Sequence, residues 1–212
     1  MKKLCILVIV ILISGCSLFN QYEGYMSDAR EYIRSKQYEK AIESLDNALI
    51  EEPNSKDAIS LKEMALEQQQ TEMDIKEKDD FTLDTAGIYS ELLALTEGID
   101  EDASYVSIKE AKELMIRLNT IQEKLNKLYE RWGSSKQYSS SFGYLTGAAD
   151  DLNQTLTAII ENIYEPIDYN GDYSRKNKVE KYLTSNDSGI RAKRYINDFR
   201  LKIDSFESSI RN

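Results

Sequence analysis

Apolar residues recur at alternating steps of three and four positions over much of the chain between residues 81 and 210. This spacing places one apolar stripe along an α-helix and is typical of helices that pack at a shallow angle. It predicts three long amphipathic helices preceded by a shorter one. The long series are Ala111, Leu114, Leu118, Ile121, Leu125, Leu128, Trp132; Phe142, Leu145, Ala149, Leu152, Leu156, Ile159, Ile163; and Ala192, Ile196, Phe199, Ile203, Phe206, Ile210. The shorter series is Phe81, Ile88, Leu92, Leu95 and Ile99.

The segments between these series are short and contain glycine and serine. Residues 133–141 join the first two long helices, which predicts that these two helices are antiparallel neighbours. The chain has only 2 prolines and 9 glycines, too few for a turn-rich β protein. We therefore predict an all-α chain in which residues 81–212 form an up-down bundle of three to four helices. A free dimeric coiled coil is the alternative.

A different pattern occupies residues 22–71, where alanines and tyrosines dominate. It resembles a tetratricopeptide repeat, a helix-turn-helix unit of about 34 residues that ends in proline. The resemblance implies that Ala29 and Ala41 let two helices approach closely. Asp28 and Lys36 depart from it, since leucine and glycine are usual there, and a generic helical hairpin is the alternative. The matching positions are Tyr25, Ala29, Tyr32, Tyr38, Ala41, Leu45, Ala48 and Pro53.

A third helix is predicted to follow this hairpin. Residues 54–57 can cap it, and it would resemble the first helix of a second repeat. Such arrays need about three units to bury a continuous core. We therefore expect the hairpin to pack against the C-terminal part or against another chain. Residues 72–80 are charged and are interpreted as a linker or a solvated helical extension, with the domain boundary there.

The first 16 residues have the features of a secretory signal. Two lysines precede an apolar run from Leu4 to Ile13, and Ser14-Gly15 are small residues before Cys16. The run is shorter than the roughly 20 residues that a membrane-spanning helix needs. These features also fit a plain signal peptide, or an anchor helix with a chance cysteine.

The Ser-Gly-Cys ending resembles the lipobox of bacterial lipoproteins. The resemblance implies that residues 1–15 are cleaved, that Cys16 carries diacylglycerol and palmitate, and that residues 16–21 are a short spacer. It also implies a cell-envelope location on the extracytoplasmic face of the cell membrane. Cys5 would be lost with the signal, so the remaining body could form no disulfide.

The net charge argues against nucleic acid as a partner. The chain carries −10, and −12 once Lys2 and Lys3 are removed with the signal. Such a surface repels polyphosphates and anionic headgroups. Membrane attachment is therefore predicted to come from the lipid on Cys16 and from no basic patch.

The residue types also restrict the possible chemistry. The chain has no histidine, which excludes histidine-dependent catalysis and histidine metal sites. Residues 168–174 resemble the start of a calcium loop through Asp168, Asn170 and Asp172. Tyr173, however, stands where that loop needs glycine, so we interpret the segment as a polar turn. No metal and no cofactor other than the covalent lipid is predicted.

Two groups of side chains are candidates for recognition. Arg30 and Arg34 lie four residues apart on the first predicted helix and could face an acidic partner. Tyrosines near the connectors could form a recognition patch or cover the bundle core; these are Tyr138, Tyr144, Tyr169, Tyr173 and Tyr182. We therefore predict a non-catalytic module that binds or scaffolds envelope proteins. The alternatives are an amphiphile-binding pocket in the bundle and, less favoured, a carboxylate-dependent hydrolase.

Overall fold

The computed structural model describes residues 21–97, 99, 106–161 and 187–211. Within these ranges the chain is helical apart from short turns and contains no strand. The all-α prediction is confirmed. The helices are α1 (21–34), α2 (Tyr38–Glu51), α3 (Lys56–Thr96), α4 (Ile108–Trp132), α5 (Ser139–Glu161) and α6 (Asp187–Arg211).

The chain forms two compact units that divide between Glu77 and Lys78. The first unit contains α1, α2 and the first part of α3. The second contains the remainder of α3 with α4, α5 and α6. Each unit has its own cluster of buried apolar side chains.

The first unit is a helical hairpin with a third helix, as predicted. Ala29 and Ala41, the two alanines expected where the helices cross, are both fully buried. A methyl group is the whole side chain at each position, so the two helix backbones can lie close together. The other fully or nearly fully buried residues of this core are Met26, Leu45, Ala48, Ala58 and Ala65.

The turn between α1 and α2 has the hydrogen bonds of a Schellman motif. The amide of Lys36 donates to the Ile33 carbonyl at 3.0 Å, and that of Gln37 donates to the Tyr32 carbonyl at 2.8 Å. Lys36 has a φ of 58°, in the left-handed region where glycine is favoured. Lys36 thus departs from the repeat pattern at a position where the backbone conformation favours glycine, and its side chain strains the backbone there.

Replacing Lys36 by glycine is expected to raise the free energy of unfolding of the first unit by about 0.5–1 kcal/mol. The gain comes from removing the Cβ that disfavours the left-handed conformation. The lost ion pair with Glu72 costs little, because the Lys36 side chain is well exposed and that of Glu72 is partly exposed, so solvent screens the pair. Urea unfolding checks the change, and Lys36→Ala, which loses the ion pair but keeps the strain, is the control. Equal stability of the two variants would contradict this account.

The start of α3 is capped as the sequence predicted, and Ser55 is the residue that does it. Its Oγ accepts a hydrogen bond from the Ala58 amide at 3.2 Å. The same oxygen lies 2.6 Å from the hydroxyl of Tyr22 in α1. One serine therefore caps α3 and joins it to the first helix.

Ser55→Ala is expected to destabilise the first unit by about 1 kcal/mol, the usual cost of losing an N-cap side chain. The substitution also leaves the Tyr22 hydroxyl without this partner. Tyr22→Phe removes only the interhelical hydrogen bond and should cost less. Thermal unfolding of the two variants measures the difference, and a smaller loss for Ser55→Ala than for Tyr22→Phe would refute the capping role.

Helix α3 is longer than any single helix that the sequence pattern predicted. It runs without a break from Lys56 to Thr96 and includes residues 72–80. Of the two interpretations of that segment, linker and helical extension, the helical extension is the one found in the structure. No proline or glycine occurs between Asn54 and Ala86, so no residue in that stretch interrupts the helical backbone.

The second unit is an up-down bundle of four helical segments. Side-chain pairs order the segments around the bundle and run antiparallel between α3 and α4, α4 and α5, and α5 and α6. The pairs are Lys124–Glu91 and Arg131–Asp84 between α4 and α3, Gln122–Asp150 and the rings of Tyr129 and Phe142 between α4 and α5, and Arg191–Glu161 and Lys202–Asp151 between α6 and α5. Tyr89 of α3 hydrogen-bonds to Glu207 of α6 and closes the ring of helices.

The predicted apolar series form the core of this bundle. All their members within the described ranges are buried or partly buried; Ile163 lies outside these ranges. Tyr138 also belongs to the core, because its ring stacks on Phe81 at 4.6 Å and meets Trp132 edge-on at 5.9 Å. It therefore covers the core and does not join a recognition patch. The α4–α5 connector covers residues 133–138, three fewer than predicted.

Helix α4 begins with a capping box. The Ser107 side chain accepts from the Glu110 amide at 3.2 Å, and the Glu110 carboxylate accepts from the Ser107 amide at 2.8 Å. The hydrogen bonds from Ser107 hold the pKa of Glu110 below its ordinary value. These bonds fix where α4 starts.

Candidate functional site

Three large apolar side chains of α3 lie seven residues apart and face solvent in the first unit. Ile59 is 40% exposed, Leu66 45% and Met73 50%. Seven residues are nearly two full turns of an α-helix, so the three side chains lie on one side of α3. We call this set the α3 stripe. It covers about 21 Å of helix, at about 1.5 Å per residue.

The α3 stripe is distinct from the side of α3 that the first core uses. Ala58 and Ala65 of the same helix segment are fully buried in that core. Scattered exposed apolar residues are ordinary on a protein surface. A row at heptad spacing supplies one of the two positions per heptad through which a helix packs against another helix. The arrangement therefore suits the binding of a partner helix.

Charged and amide side chains border the α3 stripe on both sides. One row consists of the residues three positions after each stripe member, which are Lys62, Gln69 and Lys76. The other row consists of the residues four positions after each stripe member, which are Glu63, Gln70 and Glu77. The two rows lie on opposite sides of the stripe. Three residues are less than one turn of an α-helix, and four residues are more than one turn. Beyond the acidic row, Glu67 and Asp74 extend the negative charge, and Lys56, seven residues before Glu63, is the cation at its start. The surface has an apolar centre, a basic border and an acidic border.

Two of these bordering side chains already make contacts within the unit. Lys62 donates to Asp46 of α2 at 2.5 Å, and Gln70 donates to Asp74 at 2.7 Å. The lysine is only 31% exposed and is held in place by this pair. The basic border is therefore partly ordered before any partner binds.

Arg30 and Arg34 are both exposed on α1. Neither forms an ion pair with another residue in the part of the chain that the structure describes. They do not belong to the α3 stripe, and their suggested role toward an acidic partner stays a prediction.

A depression of about 470 Å³ lies along α5 and α6 on the described surface of the bundle. It is open to solvent and is lined by Tyr144, Leu201, Asp204, Ser205, Ser208 and Ser209. The Ser205 hydroxyl donates to the Leu201 carbonyl of its own helix at 2.7 Å. The lining of the depression mixes apolar and polar side chains, and the depression is open to solvent and lies outside the core, so it gives no support to an enclosed amphiphile pocket between the bundle helices.

Asp151 is the one buried acidic or basic side chain among the described residues. Its Oδ2 accepts a hydrogen bond from Lys202 of α6 at 2.5 Å, and the same ammonium lies 3.5 Å from the Gly147 carbonyl. Burial raises the pKa of Asp151, and the hydrogen bond and charge of Lys202 oppose that rise. A hydrolase would need two carboxylates facing one cleft, whereas this carboxylate is paired with an ammonium.

Gly147 makes room for that ion pair. A Cβ at this position would lie 3.1 Å from Cδ and 3.2 Å from Cε of Lys202. The lysine stem therefore lies across α5 where a side chain is missing. This places the Asp151–Lys202 pair in the packing between α5 and α6.

Cys16 and the loop with Asp168, Asn170 and Asp172 lie outside the described residues. Within the described ranges no three Asp, Glu, Cys or His side chains are grouped to hold a metal ion. None of the described helices is long and apolar enough to cross a membrane. The lipidation of Cys16 and the interpretation of residues 168–174 as a turn stay predictions.

Comparison with known proteins identifies no relative. No family model matches the chain, and no curated protein or solved structure matches it. The function is therefore argued from the surface of the molecule itself. The α3 stripe was readable as a heptad in the sequence, but periodicity cannot show whether an apolar stripe is covered or exposed.

Proposed function

We propose that this protein is a lipid-anchored lipoprotein of the bacterial cell envelope that binds other proteins through the α3 stripe and has no catalytic role. The observation that carries the proposal is the exposure of Ile59, Leu66 and Met73 in one row. Apolar surface bordered by charge is what a protein partner covers, because its burial is favourable and its border sets specificity. The two compact helical units would serve as the scaffold that presents this row.

The experiment compares capture of partners by the wild type and by Leu66→Glu in crosslinked membranes. A glutamate at the centre of the stripe should abolish capture, since binding would bury an unpaired carboxylate. Met64→Glu is the matched control, because Met64 is 44% exposed on α3 but lies off the stripe. Capture that is equal for the wild type and Leu66→Glu would overturn the assignment of this surface.

The anchor is proposed from the Ser-Gly-Cys16 ending of the apolar leader. Cys16→Ala is expected to leave the precursor unprocessed or to release the protein from the membrane. Membrane fractionation and the mass of the N-terminal peptide measure both outcomes. A Cys16→Ala protein that is processed and sediments with membranes like the wild type would contradict lipidation at this residue.

A further inference from the structure

The two borders of the α3 stripe are complementary to each other. One carries Lys62 and Lys76, and the other carries Glu63 and Glu77. If two α3 helices face each other in parallel, a twofold axis along the helices sets the basic border of each against the acidic border of the other. Unlike charges then meet on both sides of the contact.

An antiparallel contact has the opposite electrostatics. Each border would then face the same border of the other copy, acidic against acidic and basic against basic. Glu67 and Asp74 would add to the repulsion on the acidic side. Charge therefore selects one direction for self-association and disfavours the other.

We infer that the partner of the α3 stripe is a second copy of this chain, with the two α3 helices parallel and in register. This inference rests on the proposed function, in which the stripe is the binding surface. Ile59, Leu66 and Met73 of one copy each meet the same residue of the other. The methionine adapts its shape to the contact.

The contact is small and suits molecules that are held close together. Three side chains on each copy bury less than the roughly 800 Å² per partner of a standard interface. Confinement of the anchored chains to one membrane raises their effective concentration. A parallel pair also points both N-termini the same way along the twofold axis, as two anchors in one membrane require.

Site-specific crosslinking tests the arrangement in cells that produce the full chain. Cys5 and Cys16 are its only cysteines, so the chain without an added cysteine gives the background. Ile59→Cys, Leu66→Cys and Met73→Cys are each treated with a short bis-maleimide. Each is expected to shift from monomer to dimer mass. Ile75→Cys, at a residue that is 55% exposed on α3 but off the stripe, is the control and should stay at background.

The direction of the helices is tested by mixing. Two differently tagged chains, one with Ile59→Cys and the other with Met73→Cys, are produced together. The parallel pair predicts no crosslink between them, because the two positions are about 21 Å apart along the helix. A crosslink between these two positions would show the antiparallel pair and overturn the inference.

The failure of this inference can be told apart from failure of the proposed function. Background crosslinking in all three stripe variants, with partner capture still lost in Leu66→Glu, overturns self-association and leaves protein binding in place. Dimers in all three stripe variants and background in Ile75→Cys support self-association, even when Leu66→Glu captures other proteins as the wild type does.

Discussion

Trp132→Ala is expected to lower the free energy of unfolding of the helical bundle by about 3–5 kcal/mol, the usual cost of deleting a buried large aromatic side chain. The indole is only 2% exposed. Its rings meet Phe81 edge-on at 5.1 Å, and its Nε1 donates to Asp84 Oδ2 at 2.9 Å. Alanine would leave a cavity between α3, α4 and the start of α5 and would remove this hydrogen bond.

Urea unfolding followed by circular dichroism measures the loss. Trp132→Phe keeps much of the ring volume and should lie between the wild type and the alanine variant. Asp84 keeps its ion pair with Arg131 in both variants. Ile116→Ala is the control on the same helix, because Ile116 is 69% exposed and its truncation should change stability by about 0.5 kcal/mol or less. A Trp132→Ala loss as small as that of the control would refute the packing role.

Lys202→Met is expected to destabilise the bundle by about 1–2 kcal/mol at pH 7, because it leaves the Asp151 carboxylate buried without its partner. The estimate is at the low end for a buried pair, since the Lys202 side chain is 38% exposed and solvent screens it. Methionine keeps most of the lysine stem, so the lost contact is mainly the ion pair. Chemical unfolding at pH 7 gives the magnitude.

The same variant has a predictable pH dependence. Burial raises the pKa of Asp151, and Lys202 holds that rise in check; its removal should raise the folded-state pKa further. The folded state then binds a proton at pH values where the unfolded state does not, so its stability falls as pH rises above the ordinary aspartate value. The destabilisation by Lys202→Met should therefore be larger at pH 7 than near pH 4.

The double variant Asp151→Asn/Lys202→Met is the control for this pH effect. With no carboxylate at residue 151, the difference between the two pH values should disappear. Unfolding of the single and double variants at both pH values completes the comparison. An equal loss for Lys202→Met at pH 7 and pH 4 would contradict the proposed coupling.

Much of the fold could be predicted from local patterns. The apolar series from Phe81 to Ile210 predicted four helical segments, and the structure buries them in one bundle. Ala29 and Ala41 predicted a close helix crossing, and both are fully buried. Such predictions succeed because helical periodicity and side-chain size act over a few residues.

The continuity of α3 was harder to predict. The charged residues 72–80 contain no helix breaker, yet their low apolar content fits a linker equally well. Side chains from other parts of the chain hold the helix on both sides of this segment: Ser55 with Tyr22 at its start, and Trp132 and Arg131 with Asp84 further along. A helix that gains such contacts at both ends is stabilised beyond its own propensity.

By itself, the sequence determined the helical class, the positions of the apolar series and the capping segment 54–57, because each depends on neighbours within a few positions. It also contains the lipobox-like ending at Cys16, whose lipidation stays a prediction. Only the tertiary structure decided that Ile59, Leu66 and Met73 are exposed while the similar series beginning at Phe81 is buried. Only the tertiary structure decided, too, that Asp151 pairs with Lys202, whose stem lies across Gly147. Both outcomes depend on contacts between residues far apart in the chain, which helical periodicity does not specify.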